Sequence, residues 1–169
     1  MRIAPLVTGA LLLAAMPVLA QALKGHNAKL PVDVEADRIE VQDRADRAVF
    51  SGNVSVRQGD LSLRAARLTV AYSREDNGVD IERLDASGGV IVRSSSETAR
   101  GEVAVYDLNR RIITLLGGVE LEQGQNRIRG GRLVIDLDTG RATVDGRSAG
   151  GEQGNGRVSG RFTVAGSRK

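Results

Sequence analysis

The stretch Leu61-Ser62-Leu63-Arg64-Ala65-Ala66-Arg67-Leu68-Thr69-Val70 decides how this chain reads. Its large apolar residues first stand at odd positions, Leu61 and Leu63. After the small pair Ala65-Ala66 they stand at even ones, Leu68 and Val70. Successive side chains of a strand point to opposite faces, so an apolar period of two predicts a strand with one dry face. A change of parity inside one run needs an extra residue, as at a β-bulge or a corner between two sheets. The stretch therefore predicts a strand that begins in one sheet and continues in a second facing it.

The same pattern extends outward from Pro31 to Val144. Val32 and Val34 are even, whereas Ile39 and Val41 are odd; Ile128 is even, whereas Leu133 and Ile135 are odd. Alternating pairs also occur at Val54 and Val56, Val90 and Val92, Val103 and Val105, and Val119 and Leu121. Ala36-Asp37-Arg38-Ile39-Glu40-Val41 resembles Ala65 to Val70, Arg100 to Val105 and Gly130 to Ile135. The first three of these units then reach a glycine step: Gly52-Asn53-Val54, Gly88-Gly89-Val90 and Gly117-Gly118-Val119. The spacing is roughly 30 residues, within the range of stacked repeat architectures. Turn clusters at Gln58-Gly59-Asp60, Asp76-Asn77-Gly78, Gln123-Gly124-Gln125-Asn126 and Asp138-Thr139-Gly140 separate the strands. Beyond the leader, nothing keeps helical spacing over three turns. The fold class is all-β, in one domain.

The ends read differently. Arg2 is followed by an apolar run from Leu6 to Ala15, and Ala20-Gln21-Ala22 fits a signal-peptidase site. Residues 1–22 read as a cleaved signal peptide; cleavage after Ala20 and retention of the run as an inner-membrane anchor are the alternatives. Residues 23–30 read as an N-terminal tail, 31–146 as the β domain, and 147–169 as a Gly- and Arg-rich tail with a last strand at 157–164 or one completed by a partner. Export implies the periplasm, yet there is no cysteine, so core and ladders alone must hold the domain. The formal net charge is +3, from 24 Lys and Arg against 21 Asp and Glu, and most of the bases are arginine. Aromatics are 2% of the chain, which argues against sugar- and base-stacking sites and so against nucleic acid. His26 is the single histidine and lies outside the domain, so no histidine-dependent triad can form within it. Asp136-Leu137-Asp138-Thr139-Gly140 reads as a hairpin turn rather than a metal loop. The acid pairs among arginines read as solvated strand faces. No enzyme activity, metal or cofactor is expected.

Val34-Glu35-Ala36-Asp37-Arg38-Ile39, followed by Ala48-Val49-Phe50-Ser51-Gly52-Asn53-Val54-Ser55-Val56-Arg57-Gln58-Gly59, resembles the start of an OstA-like (LptA-family) domain. Leu61 to Ala65, Leu84 to Val90, Ala99 to Asp107, Ile112 to Val119 and Asn126 to Gly130 continue the resemblance in order, so it covers about Pro31 to Gly146. One departure is that Gly89 and Gly118 stand where the first repeat has Asn53. The resemblance implies a V-shaped β-jellyroll of stacked antiparallel strands. It implies a periplasmic carrier that binds lipopolysaccharide through its lipid A acyl chains and passes it from inner to outer membrane. The implied partners are an inner-membrane component of the same fold, the N-terminal domain of the outer-membrane translocon, and further copies joined head to tail.

From the residues, the space between two aliphatic sheets can be filled by the protein itself or by an alkyl chain. Inward positions expected to line it are Val34, Ile39, Val41, Phe50, Val54, Val56, Leu63, Leu68, Val70, Val90, Val92, Val103, Val105, Leu115, Val119, Leu121, Leu133 and Ile135. Val32, Val34, Ala36, Leu133, Ile135 and Val144 are expected at the assembly edges, where unpaired strands promote association. The alternative functions are a cargo-free structural β-solenoid that assembles end to end and the anchored inner-membrane relative of the same transport system.

Overall fold

The computed structural model describes residues 26–27, 29–76, 78–147 and 156–163. Among the described residues ten strands form one antiparallel sheet: β1 (Asp33–Glu35), β2 (Arg38–Gln42), β3 (Arg47–Gln58), β4 (Leu61–Glu75), β5 (Gly78–Arg93), β6 (Glu97–Asp107), β7 (Ile112–Gln123), β8 (Asn126–Asp136), β9 (Arg141–Asp145) and β10 (Ser159–Arg161). β3 to β8 follow one another as a meander. Each end is closed by a strand in two pieces. β1 pairs with Ser55–Arg57 of β3 and β2 with Arg47–Ser51. At the other end β9 pairs with Arg132–Asp136 of β8 and β10 with Arg127–Arg129.

The sheet is creased along a line of bulges. Register shifts fall between Ser51 and Val54, Ser87 and Val90, and Leu116 and Val119. In each case two residues of β3, β5 or β7 face one residue of the next strand, and both take positive φ: Gly52 and Asn53, Gly88 and Gly89, Gly117 and Gly118. This is the left-handed region that glycine enters at no side-chain cost. Such insertions bend a strand. Here they align across the sheet and divide it into two half-sheets. β4 and β8 cross the same line with the parity flip seen in their sequences, and β6 crosses it with a flip from Ala99 to Ala104 and Tyr106. β4 buries Leu61, Leu63 and Ala65 on one side, then Leu68 and Val70 on the other.

The two half-sheets bury one shared apolar cluster, which includes Val54, Val56 and Val92 from one and Leu68, Leu115 and Leu133 from the other. They therefore face each other across the core.

β6 corrects the sequence reading. Val103 and Val105 were expected inside, but Ala104 and Tyr106 are the buried residues, and Val103 is 37% exposed. Register explains this: Ala104 pairs with Leu115 and Ala86, and Tyr106 pairs with Ile113 and Leu84. The structural counterpart of Ala36-Asp37-Arg38-Ile39 is thus Gly101-Glu102-Val103-Ala104, one residue later than the sequence match. A slip of one residue moves every side chain to the other face.

Candidate functional site

The inner faces of the two half-sheets form the candidate site. In one half-sheet the direct cross-strand partners run Ile39, Phe50, Leu68, Ala86, Ala104, Leu115, Leu133, Val144. A second row runs Val41, Ala48, Val70, Leu84, Tyr106, Ile113, Ile135, Ala142 through the same pairings. In the facing half-sheet a row runs Val34, Val56, Leu63, Val92, Ala99, Leu121, Ile128, Gly160. Apolar residues thus cross the molecule from one end of the stack to the other.

Most of the expected positions lie inside. Val54, Val56, Leu63, Leu68, Val70, Val90, Val92, Leu115, Val119, Leu121, Leu133 and Ile135 are buried, and half-buried Val34 and Phe50 pack against them. Ile39 and Val41 share the inner rows but are 55% and 63% exposed, because β2 is an outermost strand and among the described residues nothing covers its inner face. Leu133 and Ile135 are not at an assembly edge. β9 returns after the Asp138-Thr139-Gly140 turn and covers them, leaving them 0% and 1% exposed. Val144 does lie on the outermost strand, as do Val34 on β1 and Val32 and Ala36 beside it.

Among the described residues the interior is closely packed. The inner face carries a cavity of about 20 Å³ lined by Val32, Val56, Gln58, Leu61, Leu63, Leu84, Val92, Tyr106 and Ile113. That is room for about one water, not an acyl chain.

A polar cluster closes this end of the cleft, and sequence reasoning missed it. The Tyr106 hydroxyl donates to Gln58 Oε1 at 3.2 Å, joining the two half-sheets away from the crease. Gln58 Nε2 donates to the Leu30 carbonyl at 2.9 Å. His26 lies 3.0 Å from Gln58 Oε1 through Nε2 and 3.2 Å from Asp60 Oδ1 through Nδ1, with its side chain 1% exposed. Burial pushes the Tyr106 hydroxyl up to about 12, against a smaller opposing effect of Arg111. His26 and Leu30, read as part of a tail, are thus packed on the β3–β4 turn. The available signal was His26 itself, the single histidine, just ahead of the first strand.

On the outer face of β6 to β8, Arg100, Arg127 and Arg129 contact Glu120 and Glu122, with Arg100 Nη1 2.5 Å from Glu122 Oε2. The hydrogen bonds from Arg100 and Arg127 hold the Glu122 carboxyl below its ordinary range. Asp136 is lowered chiefly by the backbone N–H of Thr139, as in an Asx turn. The Asp136–Gly140 stretch is therefore a hairpin connection.

A creased antiparallel sheet with a continuous aliphatic inner face, and a break after Ala36 followed by Gly52-Asn53, invites comparison with known proteins. The profile of the LptA/(LptD N-terminal domain) LPS transport protein family matches residues 33–141. The chain belongs to this family. The LptA/LptD-N relatives include an uncharacterized protein of Rhizobium meliloti (strain 1021), 34% identical over 148 residues, covering 84% of this chain and 79% of that protein. The LPS-assembly protein LptD of Sodalis glossinidius is 28% identical over 125 residues, 74% of this chain but 15% of LptD. LptD of Pasteurella multocida is 31% identical over 92 residues, 54% of this chain and 11% of its own length. This chain therefore spans only a small part of those LptD proteins. In fold it is similar to the crystal structure of LptH, the LptA homologous periplasmic component of the lipopolysaccharide transport device of Pseudomonas aeruginosa. The TM-score is 0.69 at 22% identity, over 81% of this chain and 98% of that one. LptA-family membership assigns the chain a role in lipopolysaccharide transport. Among the described residues no helix is long and apolar enough to cross a membrane.

Proposed function

We propose that this protein binds lipopolysaccharide through its acyl chains, between the two half-sheets, and carries it across the periplasm from inner to outer membrane. The observation that supports this reading is the set of aliphatic rows running unbroken across every long strand. Moving hydrocarbon out of water is worth about 0.8 kcal/mol per CH₂, or on the order of 10 kcal/mol for a 12-carbon chain. A lipid held by such rows keeps its chains out of water while its head stays wet.

The packed interior adds a requirement. An acyl chain enters only if the half-sheets part, and the Tyr106–Gln58 hydrogen bond is a contact that must then break. The crease supplies the hinge. Outermost strands β1 and β2 at one end, and β9 and β10 at the other, leave edges on which further copies add strands. The inner-membrane component of the same fold and the LptD N-terminal domain dock there in the same way. Exposed Ile39 and Val41 at one end continue the apolar path into the next molecule.

Photo-crosslinking residues at positions 39, 40 and 41 test this reading, because they alternate between faces of one strand. Crosslinked lipopolysaccharide is expected from 39 and 41 and not from 40. Equal yields from all three, or none from 39 and 41, overturn it. The filled core favours a second reading, a cargo-free solenoid that assembles end to end. Saturable binding of a radiolabelled alkyl maltoside by the purified chain excludes that reading.

A further inference from the structure

The outer face of β3, β4 and β5 carries a block of arginine and serine with no acid. Direct partners across these strands are Arg57, Ser62 and Arg93 in one row and Ser55, Arg64 and Ile91 in the next. Beyond the crease the row is Ser51, Arg67 and Ser87. Four guanidinium groups and four hydroxyls thus occupy these nine neighbouring positions, with β4 at the centre. Strands lie about 4.8 Å apart, so Arg57 and Arg93 flank Ser62 at a separation that two arginine side chains span easily.

None of these four arginines makes a hydrogen bond or ion pair among the described residues. Asp33 stands opposite Arg57 and Glu35 opposite Ser55 at the border, and neither forms an ion pair. The contrast lies on the same face of the sheet and, for Arg57, Arg64 and Arg93, on the same half-sheet. On β6 to β8 the rows continue with Glu120 and Glu122, which neutralise Arg100, Arg127 and Arg129. Like charges on neighbouring strands destabilise a sheet. A fold that balances its arginines on one side of this face and leaves four unbalanced on the other has room there for an external anion.

We infer that this surface binds phosphate groups. Guanidinium forks match the oxygens of phosphate in paired hydrogen bonds, and serine hydroxyls add single donors. A carboxylate offers two oxygens and one charge; phosphate offers three oxygens and up to two charges, closer to what four forks supply. The ligand is either the phosphorylated head of an amphiphile or free phosphate. The site stands apart from the acyl-chain cleft, since it lies on the opposite face of the sheet.

The test uses the full mature chain and three probes: inorganic pyrophosphate, dodecyl phosphate below its micelle concentration, and citrate. Binding is followed by calorimetry. The variant Arg57→Gln/Arg64→Gln/Arg67→Gln/Arg93→Gln is compared with Arg47→Gln/Arg132→Gln/Arg141→Gln/Arg161→Gln, which removes the same charge from outer-face positions away from this block. All eight side chains lie on the outer face, and circular dichroism checks that both variants fold. The first variant is expected to lose on the order of tenfold or more in affinity for both phosphate probes, and the second to keep wild-type affinity. Dodecyl phosphate binding tighter than pyrophosphate in the wild type, with the excess affinity lost in the first variant, assigns the site to a lipid head; an excess that the first variant keeps belongs to the acyl-chain cleft, and it or equal binding assigns the site to free phosphate. The inference is overturned if both variants lose affinity alike, if neither does, or if citrate binds the wild type as tightly as pyrophosphate.

Discussion

Asn53 Nδ2 donates a hydrogen bond to Asp37 Oδ2 at 2.8 Å, tying the break between β1 and β2 to the first bulge of the crease. The Asp37 backbone N–H donates to the Gly52 carbonyl at 2.9 Å. Neighbours of the later bulges explain why Asn53 has glycine counterparts. A Cβ built on Gly88 would meet Ala66, and one on Gly117 would meet Glu102, as one on Gly52 would meet Asp37. Only the first bulge faces an aspartate, and only there does asparagine take the second bulge position. Asn53 accepts φ of 47°, a conformation asparagine tolerates better than most residues, in return for this bond.

Replacing Asp37 with alanine is expected to cost about 1 kcal/mol, the net worth of an ordinary hydrogen bond. Asn53→Gly keeps the backbone conformation and loses only the bond. In a urea-melt double-mutant cycle the two changes are therefore expected to be strongly non-additive. Full additivity would show that the bond contributes nothing.

The two glycines of one bulge should differ. At Gly88 an added Cβ would lie 2.6 Å from Ala66 Cβ, whereas at Gly89 it would meet nothing within 4 Å. Both have positive φ, so each Gly→Ala change carries a backbone cost of about 1–2 kcal/mol. Gly88→Ala adds the overlap and should be clearly the less stable by thermal melt, and Ala66→Gly should rescue it in part.

Leu115 and Leu68 are 0% exposed, and Val54 is 1% exposed. Leu115→Ala is expected to lose about 2–5 kcal/mol. A charge at Leu68 or Val54 would sit unpaired in the core and unfold the domain. Ile39→Asp is the usable probe of cargo binding, because that side chain is exposed. It should leave the circular dichroism unchanged while lowering alkyl-chain binding.

Tyr106 titrates with its hydroxyl raised to about 12, which sets the sign of an alkaline effect. The unfolded chain ionises near 10, so this stabilisation is complete below about pH 10 and is lost as pH rises toward the folded value. In Tyr72→Phe, where Tyr106 is the one remaining tyrosine, an ultraviolet titration should find its midpoint near 12. A midpoint at the ordinary tyrosine value would show that Tyr106 is not held in the closed cleft.

Glu122 gives the opposite, acid-side effect. Its folded value is lowered by Arg100 and Arg127, so its contribution is present above the ordinary carboxylate range and is lost as pH falls through the folded value. Glu122→Gln should flatten the acid limb of a stability–pH profile, the variant being less stable than the wild type above the carboxylate range and matching it at acid pH, where the wild type has lost the contribution.

Period and parity were legible in the residues alone. Leu63 to Leu68 and Ile128 to Leu133 each carry their flip in sequence, because burial on one face leaves a local mark every second residue. The glycine steps were legible only as part of a repeat, and cross-strand pairing placed them on the crease. What only the tertiary structure decided lay where the local signal was double or missing. In β6 both parities are apolar, Val103 and Val105 against Ala104 and Tyr106, so pairing with Leu115 and Ile113 chose the inner face. Leu133 and Ile135 lost their edge because β9 folded back over them. His26 found Gln58 and Asp60 more than thirty positions away, and the unbalanced arginines of β3 to β5 became one surface. Periodicity is a property of a single strand; which face is inside, what lies at an edge and which charges meet are properties of its neighbours.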